Sequence, residues 1–303
     1  MLDLLFSGSF LILGICVGSF SGVLMESWVK RSFWTGRSQC LTCRKKLRWY
    51  ELMPVISYIM QKGRCRMCKS IIPSWVLSIE VMMWLVWMVF GTLFVIYWYS
   101  FWVIGSHLIF LSMILILAIE DIKSYTIPDR LSLPMIIITL MIIGLWWFYT
   151  GWLLPDLKYS FLWGAMGMVF YLLQMIIPGI ISLMRKKQYT EILSILMIPI
   201  FFPFWIVVKI LFGEKKADRW IPSVAKMDHL PTWVGGGDVR LGILLGLILG
   251  PIYFWWVIGI GYTFWTLFWL VAQLMGKKDL DILPVAPLLF LGFCATWMIL
   301  IFS

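Results

Sequence analysis

Long apolar runs dominate the chain and alternate with short polar stretches. Many of these runs hold about twenty residues with almost no charge, enough for a helix to cross a hydrocarbon core of about 30 Å. The apolar runs lie at residues 2–25, 75–98, 101–121, 130–150, 160–184, 238–250, 252–274 and 284–302. The pattern therefore predicts an all-α polytopic membrane protein with about eight transmembrane helices.

A further apolar run, residues 191–212, is also long enough to cross. Pro199 and Pro203 interrupt it, and proline removes helix hydrogen bonds. A crossing here would put Asp238 on the opposite membrane face from Asp121. We therefore predict a re-entrant or interfacial segment on the cytoplasmic side.

Three regions follow from the pattern. Residues 1–25 form a first transmembrane helix, which we interpret as retained because no basic residue precedes it and no cleavage site stands out. Residues 26–74 form a polar insert. Residues 75–303 form the remaining membrane core, with the segment near 191–212 inside it.

Composition supports the membrane prediction. Of 303 residues, 62% are hydrophobic and only 13% are charged, and the mean hydropathy is +0.93. A soluble domain carries about twice that charged fraction. Apolar surface on this scale needs a bilayer as its solvent.

The insert carries much of the net charge of +10. Within residues 26–74 only Glu26 and Glu51 are acidic, whereas the basic residues are Lys30, Arg31, Arg37, Arg44, Lys45, Lys46, Arg48, Lys62, Arg64, Arg66 and Lys69. Loops with such an excess lie on the cytoplasmic side of a membrane. The same bias accounts for the basic patch, so we predict no nucleic-acid partner.

Four of the six cysteines form two C-x-x-C pairs, and 21 residues separate the pairs. The pairs are Cys40 with Cys43 and Cys65 with Cys68. Two such pairs supply four thiolates at a spacing that suits a structural zinc ion. Two disulfides or free thiols are the alternatives, but disulfides need an oxidising compartment. The remaining Cys16 and Cys294 lie in apolar runs and are interpreted as packing residues.

Three carboxylates lie near the predicted cytoplasmic boundary: Glu120, Asp121 and Asp238. Charge is costly there, so such residues often mark function. Asp121 ends an apolar run, and Asp238 follows the glycines Gly235, Gly236 and Gly237. Two aspartates brought together share a proton and can hydrolyse a peptide by general acid–base chemistry. The alternative is a structural charge at each helix end.

Other chemistries find little support. A transporter needs broken helices or ionisable residues near the midplane, and acidic candidates there are few. Glu80 lies near the start of an apolar run and is interpreted as a bundle residue. His107 lies in an apolar run without a carboxylate partner in sequence, and His229 lies in a polar stretch. Structural or solvated roles are the simpler interpretations for both histidines.

Taken together, these features resemble the type IV prepilin peptidase family over most of the chain. The motifs that carry the resemblance are Gly18-Ser19-Phe20, Arg37-Ser38 before the first cysteine pair, Trp49-Tyr50-Glu51, Pro54-Val55-Ile56-Ser57-Tyr58, Gly63-Arg64 before the second pair, Glu80, Asp121, Ile127-Pro128-Asp129, Gly235-Gly236-Gly237-Asp238, and Pro284-Val285-Ala286-Pro287. Gly22, Leu41 and Leu52 depart from residues common in the family.

The resemblance implies a membrane aspartyl endopeptidase in which Asp121 and Asp238 cleave the leader peptide of type IV prepilins or pseudopilins. Cleavage would occur at the cytoplasmic face of the bacterial inner membrane. The resemblance also implies a second activity, N-methylation with S-adenosylmethionine, for which the sequence indicates no donor-binding residues. A catalytically silent assembly or scaffold protein of a pilus or secretion system is the alternative function.

Overall fold

The chain is built from helices, and no β-strand occurs in the part of it that the structure describes. The computed structural model describes residues 2–30, 38–40, 42–96, 101–150, 157–185, 208, 214–220, 236–274 and 284–302. The α-helices are α1 (Leu2–Lys30), α2 (Ile56–Met60), α3 (Ser74–Ile96), α4 (Phe101–Ser124), α5 (Asp129–Thr150), α6 (Leu157–Arg185), α7 (Glu214–Trp220), α8 (Gly236–Leu274) and α9 (Ala286–Phe302). A 3₁₀ helix spans Trp49–Leu52.

The helices begin and end close to the predicted apolar runs, which confirms an all-α membrane protein. Among the described residues, three stretches are long and apolar enough to cross a membrane: Gly8–Met25, Ser74–Leu93 and Ile104–Ser124. Shorter apolar helical stretches are Leu131–Leu145, Leu162–Gln174 and Ala286–Ile299. The number of about eight crossings and the division at residues 25 and 74 stay predictions. Apart from Val208, the segment 191–212 lies outside the described residues.

The prediction that residues 238–250 and 252–274 form two separate helices is wrong. The structure has one helix there, the 39-residue α8. Pro251 does not end the helix, because proline keeps a helical φ and costs the helix only local hydrogen bonding that membrane helices tolerate.

The chain divides into two compact units. The first unit comprises residues Met1–Trp146 and Trp255–Ser303. The second unit comprises Trp147–Phe254. Each unit has its own close helix contacts.

In the first unit, glycines let α1 lie directly against α3. A Cβ atom on Gly14 would come within 2.6 Å of the Trp87 Cβ atom, and one on Gly18 within 2.8 Å of the Glu80 Cα atom. Small residues at such contacts let membrane helices approach closely and gain van der Waals packing. The contact at Gly18 fixes Glu80 at the junction of α1 and α3.

Helix α4 is the buried centre of the first unit, with 83% of its apolar stretch Ile104–Ser124 buried. The Trp87 indole nitrogen of α3 donates to the Ser112 hydroxyl at 2.8 Å. On another side the His107 ring meets the Trp297 ring of α9 edge-on, with centroids 4.2 Å apart. His107 therefore has a packing role, and α4 is held by neighbours on both sides.

The second unit has an even closer glycine contact, between α6 and the first half of α8. A Cβ atom on Gly167 would collide with the Gly242 carbonyl oxygen, and one on Gly246 with the Trp163 carbonyl oxygen. The colliding atoms are backbone and cannot rotate away. This contact fixes the beginning of α8, the helix that carries Asp238.

We predict that Gly167→Ala destabilises the protein, because its methyl group has no space against the α8 backbone. Overpacking of this kind costs about 1–3 kcal/mol. Thermal unfolding of the purified protein in one detergent measures the loss. Gly144→Ala in α5 is the matched control, because nothing lies within 4 Å of a Cβ atom there. Equal melting temperatures for the two variants would contradict the close contact.

Candidate active site and metal site

Asp121 lies three residues before the end of α4 and is only 5% exposed. The helix ends because Tyr125 adopts a left-handed φ of 53° while its amide donates to the Asp121 carbonyl oxygen at 2.8 Å. Pro128 then accepts the first hydrogen bonds of α5 through its carbonyl oxygen. The sharp turn between α4 and α5 thus follows directly after the aspartate.

The carboxylate of Asp121 is held by the beginning of α9. The backbone amide of Ala286 donates to Asp121 Oδ2 at 3.0 Å, across 165 residues of sequence. The carbonyl oxygen of Val285 accepts the first helical hydrogen bonds of α9, so the Ala286 amide has no acceptor within its own helix. The Asp121 carboxylate therefore lies at the N-terminus of α9, which is the positive end of that helix dipole.

Glu120 is as buried as Asp121 but has a different partner. Its Oε2 atom lies 3.2 Å from Lys123 Nζ, and the Lys123 ammonium lies 4.5 Å from the centre of the Trp75 ring. Glu120 therefore has a structural role. Its partner Lys123 packs on Trp75, so the ion pair joins α4 to α3. Of the two adjacent carboxylates, only that of Asp121 accepts the hydrogen bond from the beginning of α9.

Asp238 lies in the first turn of α8 and is half-buried. Gly236 begins the helix and Gly237 is half-buried, whereas Gly235 lies outside the described residues. Asp121 belongs to the first unit and Asp238 to the second. The pairing of the two aspartates therefore stays a prediction.

The four predicted zinc ligands meet in one cluster. The sulfur atoms of Cys40, Cys43, Cys65 and Cys68 all lie within 4.8 Å of one another. The sulfurs of Cys40 and Cys68 are 3.8 Å apart. A tetrahedral zinc site with Zn–S bonds of about 2.3 Å separates its sulfurs by about 3.8 Å. The donor set and its spacing therefore fit a zinc ion.

Two similar backbone turns build the cluster. In the first, the Cys40 amide donates to the Lys45 carbonyl and Arg44 has a left-handed φ of 55°. In the second, the Cys65 amide donates to the Ser70 carbonyl and Lys69 has a φ of 60°. The left-handed residue after each pair folds the chain back, so that both thiols of a pair point to the same centre.

No disulfide forms: all six cysteines are described and all are free. The Ser70 hydroxyl lies 3.0 Å from the Cys68 sulfur, and hydrogen bonding to Ser70 lowers the pKa of Cys68 to about 6. The thiolate that a metal ion needs is thus favoured at Cys68, whereas burial and the neighbouring thiols raise the pKa of Cys43 to about 11. The disulfide alternative is therefore absent from this structure.

Glu80 fastens the insert to the membrane helices. Its Oε2 atom accepts a hydrogen bond from the Val55 amide at 2.7 Å, and the residue is only 8% exposed. Val55 has a left-handed φ of 62°, which is strained for a β-branched side chain. A buried carboxylate thus holds a strained turn at the start of α2.

Sequence reasoning did not find the two backbone contacts that organise these carboxylates. It grouped Ala286 and Val55 into motifs but assigned them no role. Each donates through its backbone to a distant carboxylate, so its side chain carries no signal of the contact. The one available hint was that each residue belongs to a proline-containing motif.

Comparison with known proteins supports the motif resemblance. The family model described as the bacterial peptidase A24 N-terminal domain matches residues 12–94. That stretch includes the cysteine cluster and Glu80 but neither Asp121 nor Asp238.

Relatives named prepilin leader peptidase/N-methyltransferase are similar to about two fifths of the chain. The protein of Vibrio cholerae serotype O1 is 32% identical over 136 residues, which is 41% of this chain and 51% of that protein. The Klebsiella pneumoniae protein is 32% identical over 140 residues, covering 42% of this chain and 58% of that protein. The Bacillus subtilis (strain 168) protein is 31% identical over 134 residues, covering 43% and 50%.

The chain spans about half the length of the curated relatives it matches. No solved structure matches it. The similarities confirm the resemblance to type IV prepilin peptidases.

We predict that Glu80→Ala loosens the start of α2, because the Val55 amide loses its acceptor. A hydrogen bond to a charged group contributes about 1.5–3 kcal/mol, so amide exchange at residues 53–60 should accelerate roughly ten- to hundredfold. Hydrogen–deuterium exchange with mass spectrometry measures this. Glu80→Gln should show a smaller change, since its amide oxygen still accepts.

Ser78→Ala is the control for that experiment. Ser78 is exposed on the same helix, and its hydroxyl donates only to the Ser74 carbonyl one turn away. Unchanged exchange at residues 53–60 in Glu80→Ala, or the same acceleration in Ser78→Ala, would show that the Glu80 carboxylate does not hold the turn.

Proposed function

We propose that this chain is a membrane-embedded aspartyl endopeptidase that removes the leader peptide from type IV prepilins or pseudopilins. Asp121 and Asp238 are its catalytic pair, and cleavage takes place at the cytoplasmic face of the bacterial inner membrane. The names of the relatives support the substrate class. The motifs around the two aspartates, which lie outside the matched family domain, support the chemistry.

The observation that carries the proposal is the setting of Asp121. The residue is buried at the end of the central helix α4, and the Ala286 amide fixes its carboxylate at 3.0 Å. A catalytic carboxylate needs this kind of preorganised orientation. The neighbouring Glu120 lacks it, because its carboxylate is bound to Lys123.

Asp238 supplies the second carboxylate. It lies in the first turn of α8, directly after glycines. Glycine has no Cβ atom, so a peptide backbone can approach the chain closely there. The predicted active-site loop of Gly235, Gly236 and Gly237 is wrong for two of its members, because Gly236 and Gly237 form the first turn of α8. An extended leader peptide would lie beside this turn.

The reaction requires the two aspartates to share one proton. The ionised carboxylate takes a proton from a water molecule, whose oxygen attacks the carbonyl carbon of the scissile peptide bond. The protonated carboxyl group gives its proton to the carbonyl oxygen. The tetrahedral intermediate then breaks its C–N bond: the protonated aspartate gives its proton to the leaving nitrogen, and the other aspartate takes a proton from a hydroxyl group of the intermediate, so that the pair again holds one proton. The products are the leader carboxylate and a new N-terminal amine.

The insert has a structural role in this proposal. Cys40, Cys43, Cys65 and Cys68 hold one zinc ion, which fixes the two backbone turns around it. Peptide cleavage uses no atom of the cluster.

Methylation of the new N-terminus is the second proposed activity. The observation that favours it is the name of the relatives, which gives both activities. The methyl group would come from S-adenosylmethionine, and no residue of this chain is assigned to binding it. A cleavage assay with labelled S-adenosylmethionine tests methylation together with cleavage.

The active-site prediction concerns the two aspartates. Asp121→Asn and Asp238→Asn should each abolish cleavage of a model prepilin in proteoliposomes, because the amide keeps the shape but cannot exchange a proton. We expect a loss of at least about a thousandfold, in the range that a key acid–base group supplies. Gel mobility of the substrate measures it.

Glu120→Gln is the matched control for the aspartates. The residue is adjacent, equally buried and engaged in a structural ion pair, so this variant should keep cleavage within a few-fold. Full prepilin processing by Asp121→Asn or Asp238→Asn would refute the pair. A wild-type protein that leaves the prepilin uncut would instead favour the alternative of an assembly or scaffold protein.

The metal prediction is one zinc ion per chain, measured by elemental analysis after purification without chelator. Cys65→Ser should lose it, because three thiolates and a hydroxyl bind zinc far more weakly. Cys294→Ser in α9 should keep it, since that thiol lies outside the cluster. A wild-type protein without zinc, or equal zinc in both variants, would contradict the assignment.

A further inference from the structure

Helix α2 presents apolar side chains to its surroundings. Ile56 is 50% exposed, Ile59 is 65% exposed and Met60 is 78% exposed. Residues spaced by three and four positions lie on the same side of a helix, so the three side chains form one apolar face. The preceding Leu52 and Met53 are exposed as well. A contiguous apolar face of this kind marks an interaction site.

The depth of α2 relative to the membrane helices is set by Glu80. The hydrogen bond from the Val55 amide to Glu80 fixes the residue directly before α2. Glu80 is the seventh residue of α3 and lies within the apolar stretch Ser74–Leu93. At 1.5 Å per residue it lies about 9 Å along that stretch. The start of α2 is therefore held within about 9 Å of the end of this apolar stretch.

A second contact fixes the same depth. A Cβ atom on Gly18 would come within 2.8 Å of the Glu80 Cα atom, and Gly18 lies within the apolar stretch Gly8–Met25 of α1. Glu80 is thus enclosed between two membrane-crossing stretches. Helix α2 begins one hydrogen bond away from this junction.

Positive charge follows α2 in the chain. Lys62, Arg64, Arg66 and Lys69 are all exposed, and Glu51 is the one acidic residue among the described insert residues 38–73. Basic residues beside a membrane helix attract anionic phospholipids. Short segments that combine an apolar face with basic residues lie in the membrane interface.

We propose that α2, together with Lys62 and Arg64, forms an interfacial anchor that binds the anionic phospholipid layer of the bilayer crossed by α1 and α3. The side chains of Ile56, Ile59 and Met60 enter the boundary between headgroups and acyl chains. Lys62 and Arg64 contact lipid phosphates. The depth of α2 favours lipid over a protein partner, because a face at the headgroup level meets lipid before it meets any dissolved protein.

The test places a photo-crosslinking phenylalanine derivative at position 60 of the full-length protein, in nanodiscs of phosphatidylcholine with phosphatidylglycerol. Mass spectrometry after illumination identifies what it captures. We expect phospholipid adducts. Position 67 is the matched control, because Met67 is also an exposed methionine but lies between Cys65 and Cys68 in the second metal-binding turn. It should capture little lipid.

A charge variant tests the phosphate contacts. Lys62→Glu with Arg64→Glu, combined with the crosslinker at position 60, should lower the yield of phosphatidylglycerol adducts roughly tenfold or more, because each basic residue near an anionic surface contributes to binding. Zinc content serves as the folding check, since neither residue is a thiol of the cluster.

Four results would overturn the proposal. Adducts between position 60 and residues 147–254 would show that the second unit covers the face. Adducts to a second copy of the chain would show a dimer contact. Absence of lipid adducts at position 60, or equal lipid capture at positions 60 and 67, would show that α2 is not an interfacial anchor.

Discussion

A carboxylate beside hydrocarbon must find its hydrogen-bond donors within the protein, and this constraint organises the chain. Water is scarce there, and an uncompensated charge is costly. Asp121 and Glu80 both meet the constraint with a backbone amide from a distant segment, Ala286 for the first and Val55 for the second. Each contact fixes two things together, namely the orientation of the carboxylate and the position of the segment that donates to it.

The consequences differ at the two places. At Asp121 the donor is the first amide of α9, so the end of α4 and the beginning of α9 are joined where the proposed chemistry occurs. At Glu80 the donor precedes α2, so the insert is joined to the pair α1 and α3. The four-cysteine cluster gives the insert its internal order, while Glu80 sets where the insert lies. The two contacts are complementary, because the cysteine cluster orders the insert and the Val55 amide joins it to Glu80 of α3.

The apolar pattern was sufficient to predict the fold class and the approximate ends of most helices, because membrane crossing imposes length and composition directly. The two C-x-x-C pairs predicted the cysteine cluster, because close spacing in sequence keeps each pair close in space. The break at Pro251 was wrong, since a membrane helix tolerates a proline that would often end a soluble one. The contacts of Ala286 and Val55 were missed because backbone donors leave no trace in side-chain pattern. The pairing of Asp121 with Asp238 depends on contacts distant in sequence, which no local pattern encodes.

The central claim is that Asp121 and Asp238 meet at one membrane face. Cross-linking of Asp121→Cys with Asp238→Cys by a short bis-maleimide, in native membranes and in a background with Cys16 and Cys294 replaced, measures this most directly. The account predicts an intramolecular cross-link between positions 121 and 238, identified by mass spectrometry. Labelling of the two positions from opposite sides of the membrane by an impermeant thiol reagent, with no cross-link, would contradict it.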